Sequence, residues 1–228
     1  MEVFDSIPVD LETDKVLESM GMRSRNQQME RTVQELVEVA RSVARPKAVY
    51  KVAYIDDKDD DTVTIDGVRF TGRVLRINLD QVERVFPHIA TCGTELEEIA
   101  VPSDDVMKSF CFDAIKTMVV GSASTYLSNH LMEYYALDKL SQMSPGSLES
   151  WPLAQQKELF SLFGDTEELV GVRLTKSCVM VPLKSVSGIY FPAEIKFASC
   201  QLCPRERCIG RRALYDPELV KKYREATV

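Results

Sequence analysis

The order of helix-like and strand-like segments constrains the fold of this chain more than any other feature. Helical spacing of apolar residues predicts an amphipathic helix from about Asn26 to Ala44. A second, long helix is predicted from an N-cap at Ser103 to about Tyr135. Strand-like segments lie before, between and after these helices, without the repeating strand–helix–strand rhythm of a parallel sheet. The order therefore predicts an α+β fold.

The remaining segments predict the strands, turns and shorter helices of that fold. Strands are expected at 48–55, 85–91, 172–175 and 179–191. Thr62–Phe70 predicts a hairpin, because Asp66-Gly67 can adopt the positive φ angles of a type I′ turn. Polar composition predicts loops at Asp56–Asp61 and Ser141–Ser150, and Pro residues open predicted helices at 152–164 and from about 217.

Composition and charge limit the class of protein. The 228 residues suffice for one domain, taken as 1–228, with an N-terminal helical region at 1–46 and a cysteine-rich C-terminal segment at 196–228. Twenty-eight basic against 35 acidic residues give a net charge of -7, which argues against nucleic-acid binding. No apolar run reaches the roughly 18 residues of a membrane span, and the N-terminus is acidic, so we expect a cytoplasmic protein with no membrane contact.

Three of the six cysteines form the pattern C-x2-C-x4-C, at Cys200, Cys203 and Cys208. Thiolates at this spacing can converge on one metal, and a tetrahedral site or cubane cluster needs a fourth ligand. Cys178, in the preceding strand region, is the best candidate for that ligand. The pattern favours an iron–sulfur cluster over zinc on these four residues, and three unligated thiols remain the alternative.

One stretch closely resembles a known family, the reactivation domain of cobalamin-dependent methionine synthase. The residues that carry the resemblance are Leu174-Thr175-x-Ser177, Met180-x-Pro182 and Ser185-Val186-Ser187-Gly188-x-Tyr190-Phe191. Upstream, Thr91–Glu97 and Asp113-Ala114 are similar to stand-alone versions of that domain. The resemblance extends from about Lys47 to Arg212 and identifies the chain as a stand-alone homologue.

The resemblance implies a fold and an activity. The family's domain is a single curved α+β unit with a mainly antiparallel sheet flanked by helices. It binds S-adenosylmethionine and closes over a corrinoid whose cobalt has been oxidised to Co(II). An outside electron, from a donor such as ferredoxin or flavodoxin, and a methyl group from S-adenosylmethionine restore methylcobalamin. The resemblance thus implies reactivation of a corrinoid on a partner methyltransferase or corrinoid protein.

The same resemblance points to ligand-binding residues. The family's nucleotide loop reads Arg-x-x-x-Gly-Tyr, and here Gln142 and Ser147 replace the Arg and the Tyr. The residues assigned to the ligand by this correspondence are Gln142, Pro145, Gly146, Ser147, Ser185, Ser187 and Gly188. An alternative reading makes the last three a strand kink whose hydroxyls bond to backbone.

The corrinoid itself is expected to come from the partner. The D-x-H-x-x-G signature that supplies a cobalt ligand is absent, and neither His88 nor His130 has that context. We interpret His88 as a hydrogen-bonded histidine at the end of a strand.

Three functions are therefore open on sequence alone. One is S-adenosylmethionine-dependent reductive methylation, and another is electron delivery from a bound iron–sulfur cluster. The third is a zinc-stabilised protein-interaction module without catalytic activity.

Overall fold

A computed structural model of the chain describes residues 1–21, 27–102, 104–194, 197–208 and 211–225, without the side chains of the last two. The helices are α1 (Thr13–Ser19), α2 (Gln27–Val43), α3 (Arg73–Asn78), α4 (Val106–Tyr134), α5 (Gln156–Ser161), α6 (Thr166–Val170) and α7 (Pro217–Glu225). The strands are β1 (Glu2–Phe4), β2 (Lys47–Tyr50), β3 (Ala53–Asp59), β4 (Thr62–Ile65), β5 (Val68–Thr71), β6 (Arg84–Thr91), β7 (Leu140–Met143), β8 (Arg173–Leu174), β9 (Met180–Val181) and β10 (Ser185–Pro192).

Strand β6 is the centre of the main sheet. It pairs with β2 and β3 along one edge and with β10 along the other, and β10 in turn pairs with β7. The strand pairs are antiparallel, and β8 and β9 form a separate small antiparallel pair. The predicted α+β fold with a mainly antiparallel sheet is thus confirmed.

Helices and loops cover both faces of this sheet. Helix α4 buries a line of apolar residues against α2 and against the sheet, from Cys111 to Leu131. On the opposite face, Trp151 is fully buried and packs edge-to-face on Phe70. Although α4 has 29 residues, no helix in the described ranges is long and apolar enough to cross a bilayer.

The hairpin prediction is confirmed in detail. Strands β4 and β5 pair directly, and Asp66 and Gly67 have φ angles of 46° and 78°. The Asp66 carboxylate also accepts a hydrogen bond from the Tyr54 N–H, which ties the turn to β3. The two turn residues therefore adopt the positive φ angles that their sequence predicts.

Several predicted boundaries are wrong. The strand expected at 48–55 divides into β2 and β3, and β3 continues to Asp59 into the predicted acidic loop. The strand expected at 179–191 divides into β9 and β10. The expected N-cap Ser103 and helix start Asn26 lie outside the described residues, and Asp105 caps α4 by accepting a hydrogen bond from the Lys108 N–H at 2.8 Å.

The loop predicted at Ser141–Ser150 begins inside a strand. Residues 140–143 form β7, although their sequence, Leu-Ser-Gln-Met, lacks the β-branched residues that favour strands. Pairing with β10 supplies the backbone hydrogen bonds and buries Leu140, Ser141 and Met143. Tertiary contacts thus override the local preference here.

Candidate ligand site

Three segments meet at the outer edge of β7. Strand β10 pairs with one side of β7 and places Tyr190 opposite Gln142. On the other side, Gln142 makes a parallel bridge to Ala198. The Phe197 N–H donates to the Ser141 hydroxyl at 2.8 Å. The chain that leaves β10 therefore returns along the free edge of β7, beside the turn that follows this strand.

The turn after β7 is held in a fixed conformation. Gly146 has a φ of 79° and donates its N–H to the Trp151 carbonyl at 2.8 Å. The Ser147 hydroxyl donates to the Ser144 carbonyl at 2.6 Å and lies 3.3 Å from the hydroxyl of Ser199. Because Trp151 is buried in the core, this turn is anchored in position, with the hydroxyl of Ser147 at the surface.

A chain of polar side chains runs from the surface into the sheet through Gln142. The Arg212 guanidinium donates from Nη1 to Gln142 Oε1 at 3.1 Å. The Gln142 amide nitrogen lies 3.0 Å from Nε2 of His88. His88 is fully buried and stacks on Tyr190, with ring centroids 4.0 Å apart. We call this arrangement the His88–Gln142–Arg212 chain.

The electrostatics of this chain settle its hydrogen-bond directions. Burial, together with the positive charge of Arg212, lowers the pKa of His88 to about 3 against the opposing effect of a backbone hydrogen bond at Phe86, so the imidazole is neutral at pH 7. Because Arg212 donates to Oε1, the amide nitrogen of Gln142 must donate to Nε2 of His88. The imidazole proton then resides on Nδ1, which makes no well-aligned hydrogen bond to a described residue, although the Phe86 backbone acts on the ring.

The histidine prediction is therefore only half right. His88 lies inside the central strand rather than at its end, opposite Gly188 of β10. One ring nitrogen contacts Gln142, and the Phe86 backbone also acts on the imidazole.

The three β10 residues assigned to the ligand have different surroundings. The Ser185 hydroxyl lies 2.9 Å from Thr91 Oγ1 and 2.8 Å from the Pro182 carbonyl, which accounts for its polarity within the sheet. At Gly188, an added Cβ would overlap the Met143 carbonyl, so glycine lets β7 approach β10. The Ser187 hydroxyl is buried and has no partner in the described part of the chain.

The four predicted metal ligands are not brought together. Cys178 lies in the turn between β8 and β9, with a φ of 62°, and its sulfur faces the Ala154 carbonyl at 3.9 Å. Cys200, Cys203 and Cys208 lie in the C-terminal segment, where Cys208 is exposed. Within the described ranges, no group of three or more Cys, His, Asp or Glu side chains is placed to hold a metal ion. The turn conformation at Cys178, which spacing does not reveal, gives its thiol another environment.

Instead, Cys200 and Cys203 accept hydrogen bonds that fix the conformation of the C-terminal loop. The Arg211 guanidinium donates to the carbonyls of Cys200, Cys203, Arg205 and Ala213. The N–H of Arg212 donates to the sulfur of Cys200 at 3.3 Å. The C-terminal segment is thereby folded around Arg211, and Arg212 is carried to the edge of β7.

A cleft of about 570 Å³ lies beside the turn, between α3, α7 and the 3₁₀ turn Ser199–Leu202. Its walls are mainly apolar and include Val74, Leu148, Leu202, Val220 and Tyr223. Ser150 also lines it, and its buried hydroxyl has no partner among the described residues. Arg73 and Glu149 line it as well, so the cleft combines apolar walls with two charged side chains and the Ser150 hydroxyl, a common composition for a small-molecule site.

The partners of Gln142 were missed by sequence reasoning. His88 and Arg212 lie 54 and 70 residues from Gln142 along the chain, so no local spacing connects them. Arg211 and Arg212 are adjacent in sequence, yet Arg211 binds carbonyls of its own loop and Arg212 contacts Gln142. That difference depends on how the loop folds and cannot be deduced from two identical letters.

Comparison with known proteins gives two findings. Residues 145–202 match the family described as vitamin B12 dependent methionine synthase, activation domain. The fold is similar to that of a crystal structure of the MetH reactivation domain bound to AdoHcy. The TM-score is 0.60 at 15% identity, over 87% of this chain and 81% of that one. A search of curated proteins finds no match.

The sequence match includes the turn after β7 and all of β10, whereas Gln142 and Arg212 lie outside it. The structural match extends over most of the chain and shows the same fold. Together these findings show that the chain has the fold of that reactivation domain and that residues 145–202 are similar to the activation-domain family.

Proposed function

We propose that this protein reactivates an oxidised corrinoid, held by a partner methyltransferase or corrinoid protein, with S-adenosylmethionine as the methyl donor. The observation that carries the proposal is the sequence match over residues 145–202, which contains the anchored turn and β10. The protein of similar fold is bound to AdoHcy, which is the product that S-adenosylmethionine leaves after losing its methyl group.

The proposed reaction has two steps on the partner's cobalt. One electron from a low-potential donor, such as ferredoxin or flavodoxin, reduces Co(II) to Co(I). Co(I) then attacks the methyl carbon of S-adenosylmethionine with its electron pair. The cobalt–carbon bond forms while the carbon–sulfur bond breaks, and AdoHcy departs with the sulfur electron pair. The chain's own contribution is to bind and orient the methyl donor.

The site offers suitable groups for such a ligand. The apolar walls of the cleft, with the unpartnered Ser150 hydroxyl, suit an adenosine moiety. Gly146 and Ser147 lie in the anchored turn just before Leu148 of the cleft wall, and Gln142 and Arg212 form a polar pair at the strand that leads into this turn. We assign ligand contact to Gln142, Gly146 and Ser147, with Pro145 shaping the turn.

The metal-dependent alternatives have less support. No described contact favours an iron–sulfur cluster that delivers electrons or a zinc-stabilised interaction module, because the four thiols do not converge. Iron, acid-labile sulfide and zinc content of protein purified without oxygen will decide. The methyl-transfer proposal predicts activity without bound metal, and an activity that depends on stoichiometric iron and sulfide would replace it with electron delivery.

The direct test is methyl transfer under anaerobic conditions. The protein is mixed with titanium(III) citrate, S-adenosylmethionine labelled at its methyl carbon, and either free cob(II)alamin or the cobalamin-binding fragment of methionine synthase. We expect the label to appear in methylcobalamin only when the protein is present. Absence of transfer to both acceptors, together with absence of AdoHcy binding, would refute the proposal.

A further inference from the structure

We propose that Arg212 is the cation that binds the carboxylate of S-adenosylmethionine and AdoHcy in this protein. The charge is supplied by the C-terminal segment rather than by strand β7. The inference rests on the proposed function, because it names a residue that recognises the same ligand. It is independent of the sequence match, which ends at residue 202.

The position of Arg212 at the edge of β7 supports this assignment. Residue 142 is a neutral glutamine, so β7 contributes no charge at this point of the edge. The Arg212 guanidinium lies against the end of that side chain, 3.1 Å from Gln142 Oε1. A positive charge therefore stands at the edge of β7 beside the anchored turn.

Arg212 also has side-chain N–H donors that are available to a ligand. A guanidinium carries five N–H donors in a planar fork that matches a carboxylate. Among the described residues, Arg212 uses one side-chain donor, on Gln142, and has no ion-pair partner, although the chain contains 35 acidic residues. Arg211 differs from Arg212, because the Arg211 guanidinium donates to backbone carbonyls of its own loop. Arg212 is exposed and keeps donors for an external anion.

Arg212 is also held in a fixed orientation. Its guanidinium donates to Oε1 of Gln142, and the Gln142 amide nitrogen in turn donates to Nε2 of buried His88, so the glutamine side chain is fixed on both sides. The N–H of Arg212 is also fixed on the sulfur of Cys200 at 3.3 Å. A side chain held at both ends loses less conformational entropy when it binds a ligand, which strengthens binding. His88 thus helps to orient the charge through its Nε2 atom.

The test compares two ligands that differ in the carboxylate. Calorimetric titration with AdoHcy and with 5′-methylthioadenosine, which lacks the amino-acid group, is carried out on the full chain and on Arg212→Gln. We expect the variant to lose about 10- to 100-fold in AdoHcy affinity, as for one lost charge-assisted contact. The affinity for 5′-methylthioadenosine should change less than about twofold, since that ligand has no carboxylate to lose.

Two further variants make the test specific. Arg207→Gln removes an exposed arginine of the same segment and should leave both affinities unchanged. The double variant Gln142→Arg/Arg212→Gln returns a guanidinium to the edge from the strand side and should recover at least about tenfold of the lost AdoHcy affinity. Thermal unfolding of each variant confirms that it is folded.

The possible failures are distinguishable. If the unaltered protein binds neither ligand, the proposed function fails and this inference fails with it. If it binds AdoHcy but Arg212→Gln retains full affinity, or loses affinity equally for both ligands, Arg212 does not bind the carboxylate while the proposed function stands.

Discussion

The two sides of β7 are built in different ways. Toward β10, the strand pairs over four residues, from Leu140 opposite Pro192 to Met143 opposite Ile189, and most of these side chains are buried. Toward the described part of the C-terminal segment, it makes one isolated bridge, supplemented by hydrogen bonds of the Ser141 and Gln142 side chains. The regular side positions the site, and the irregular side carries the charge. The first should therefore respond to substitution through stability, and the second through ligand affinity.

The largest expected effect lies on the regular side. Gly188→Val should destabilise the protein by about 3 kcal/mol or more, because the new Cβ would overlap the Met143 carbonyl and lie 2.7 Å from Ser144 Oγ. Urea unfolding measures the loss. The matched control is Gly121→Ala on α4, where a Cβ meets open space and should stabilise by about 0.5–1 kcal/mol. Equal stability of Gly188→Val and the unaltered protein would contradict the close approach of β7 and β10.

The second prediction concerns the pH dependence of stability that arises from His88. Its pKa of about 3 in the folded protein lies below the 6.5 of the unfolded chain, so the unfolded state takes up a proton first as pH falls. The stability contribution is complete above pH 6.5 and is lost progressively toward pH 3. We expect a loss of order 2 kcal/mol between pH 7 and pH 5.

The control for this pH effect is His88→Phe, which keeps a ring beside Tyr190 but has no titratable nitrogen. Its free energy of unfolding should change less between pH 7 and pH 5 than that of the unaltered protein. Parallel pH profiles for the two proteins would show that His88 is not buried in its neutral form.

A smaller loss of stability, together with weaker AdoHcy binding, is expected from substitution in the turn after β7. Gly146→Val should cost about 1–3 kcal/mol of stability, because φ is positive and Leu153 lies 3.0–3.1 Å from the added Cβ. It should also weaken AdoHcy binding by displacing the turn. Gly164→Val shares the positive φ but meets open space, so it isolates the backbone strain and should leave AdoHcy affinity intact. Unchanged affinity in Gly146→Val would separate the turn from the ligand.

The smallest effect is expected in the cysteine segment. Cys208 is exposed, so Cys208→Ser should change stability and AdoHcy affinity by no more than about 0.5 kcal/mol. Metal analysis accompanies the titration. Loss of bound iron or zinc in this variant would show that the three cysteines ligate a metal after all.

The same contrast explains what the sequence could predict. The Asp66-Gly67 hairpin and the α+β class follow from local patterns, and the structure confirms both. Strand β7 cannot be predicted from local patterns, because it forms by pairing with β10, and this pairing requires glycine at position 188. The resemblance pointed to Gln142 at the site, but not to its partners. The contacts with His88 and Arg212 join segments far apart in sequence, and they exist only once the C-terminal segment has folded along β7.

The most direct test of the ligand site is hydrogen exchange of the protein with and without AdoHcy, read by mass spectrometry. We expect slower exchange on ligand binding in residues 140–151 and in the C-terminal segment at 197–208 and 211–213, with little change in β3 to β5. Protection confined to other parts of the chain, or no binding of AdoHcy at all, would contradict a ligand site between the turn after β7 and the C-terminal segment.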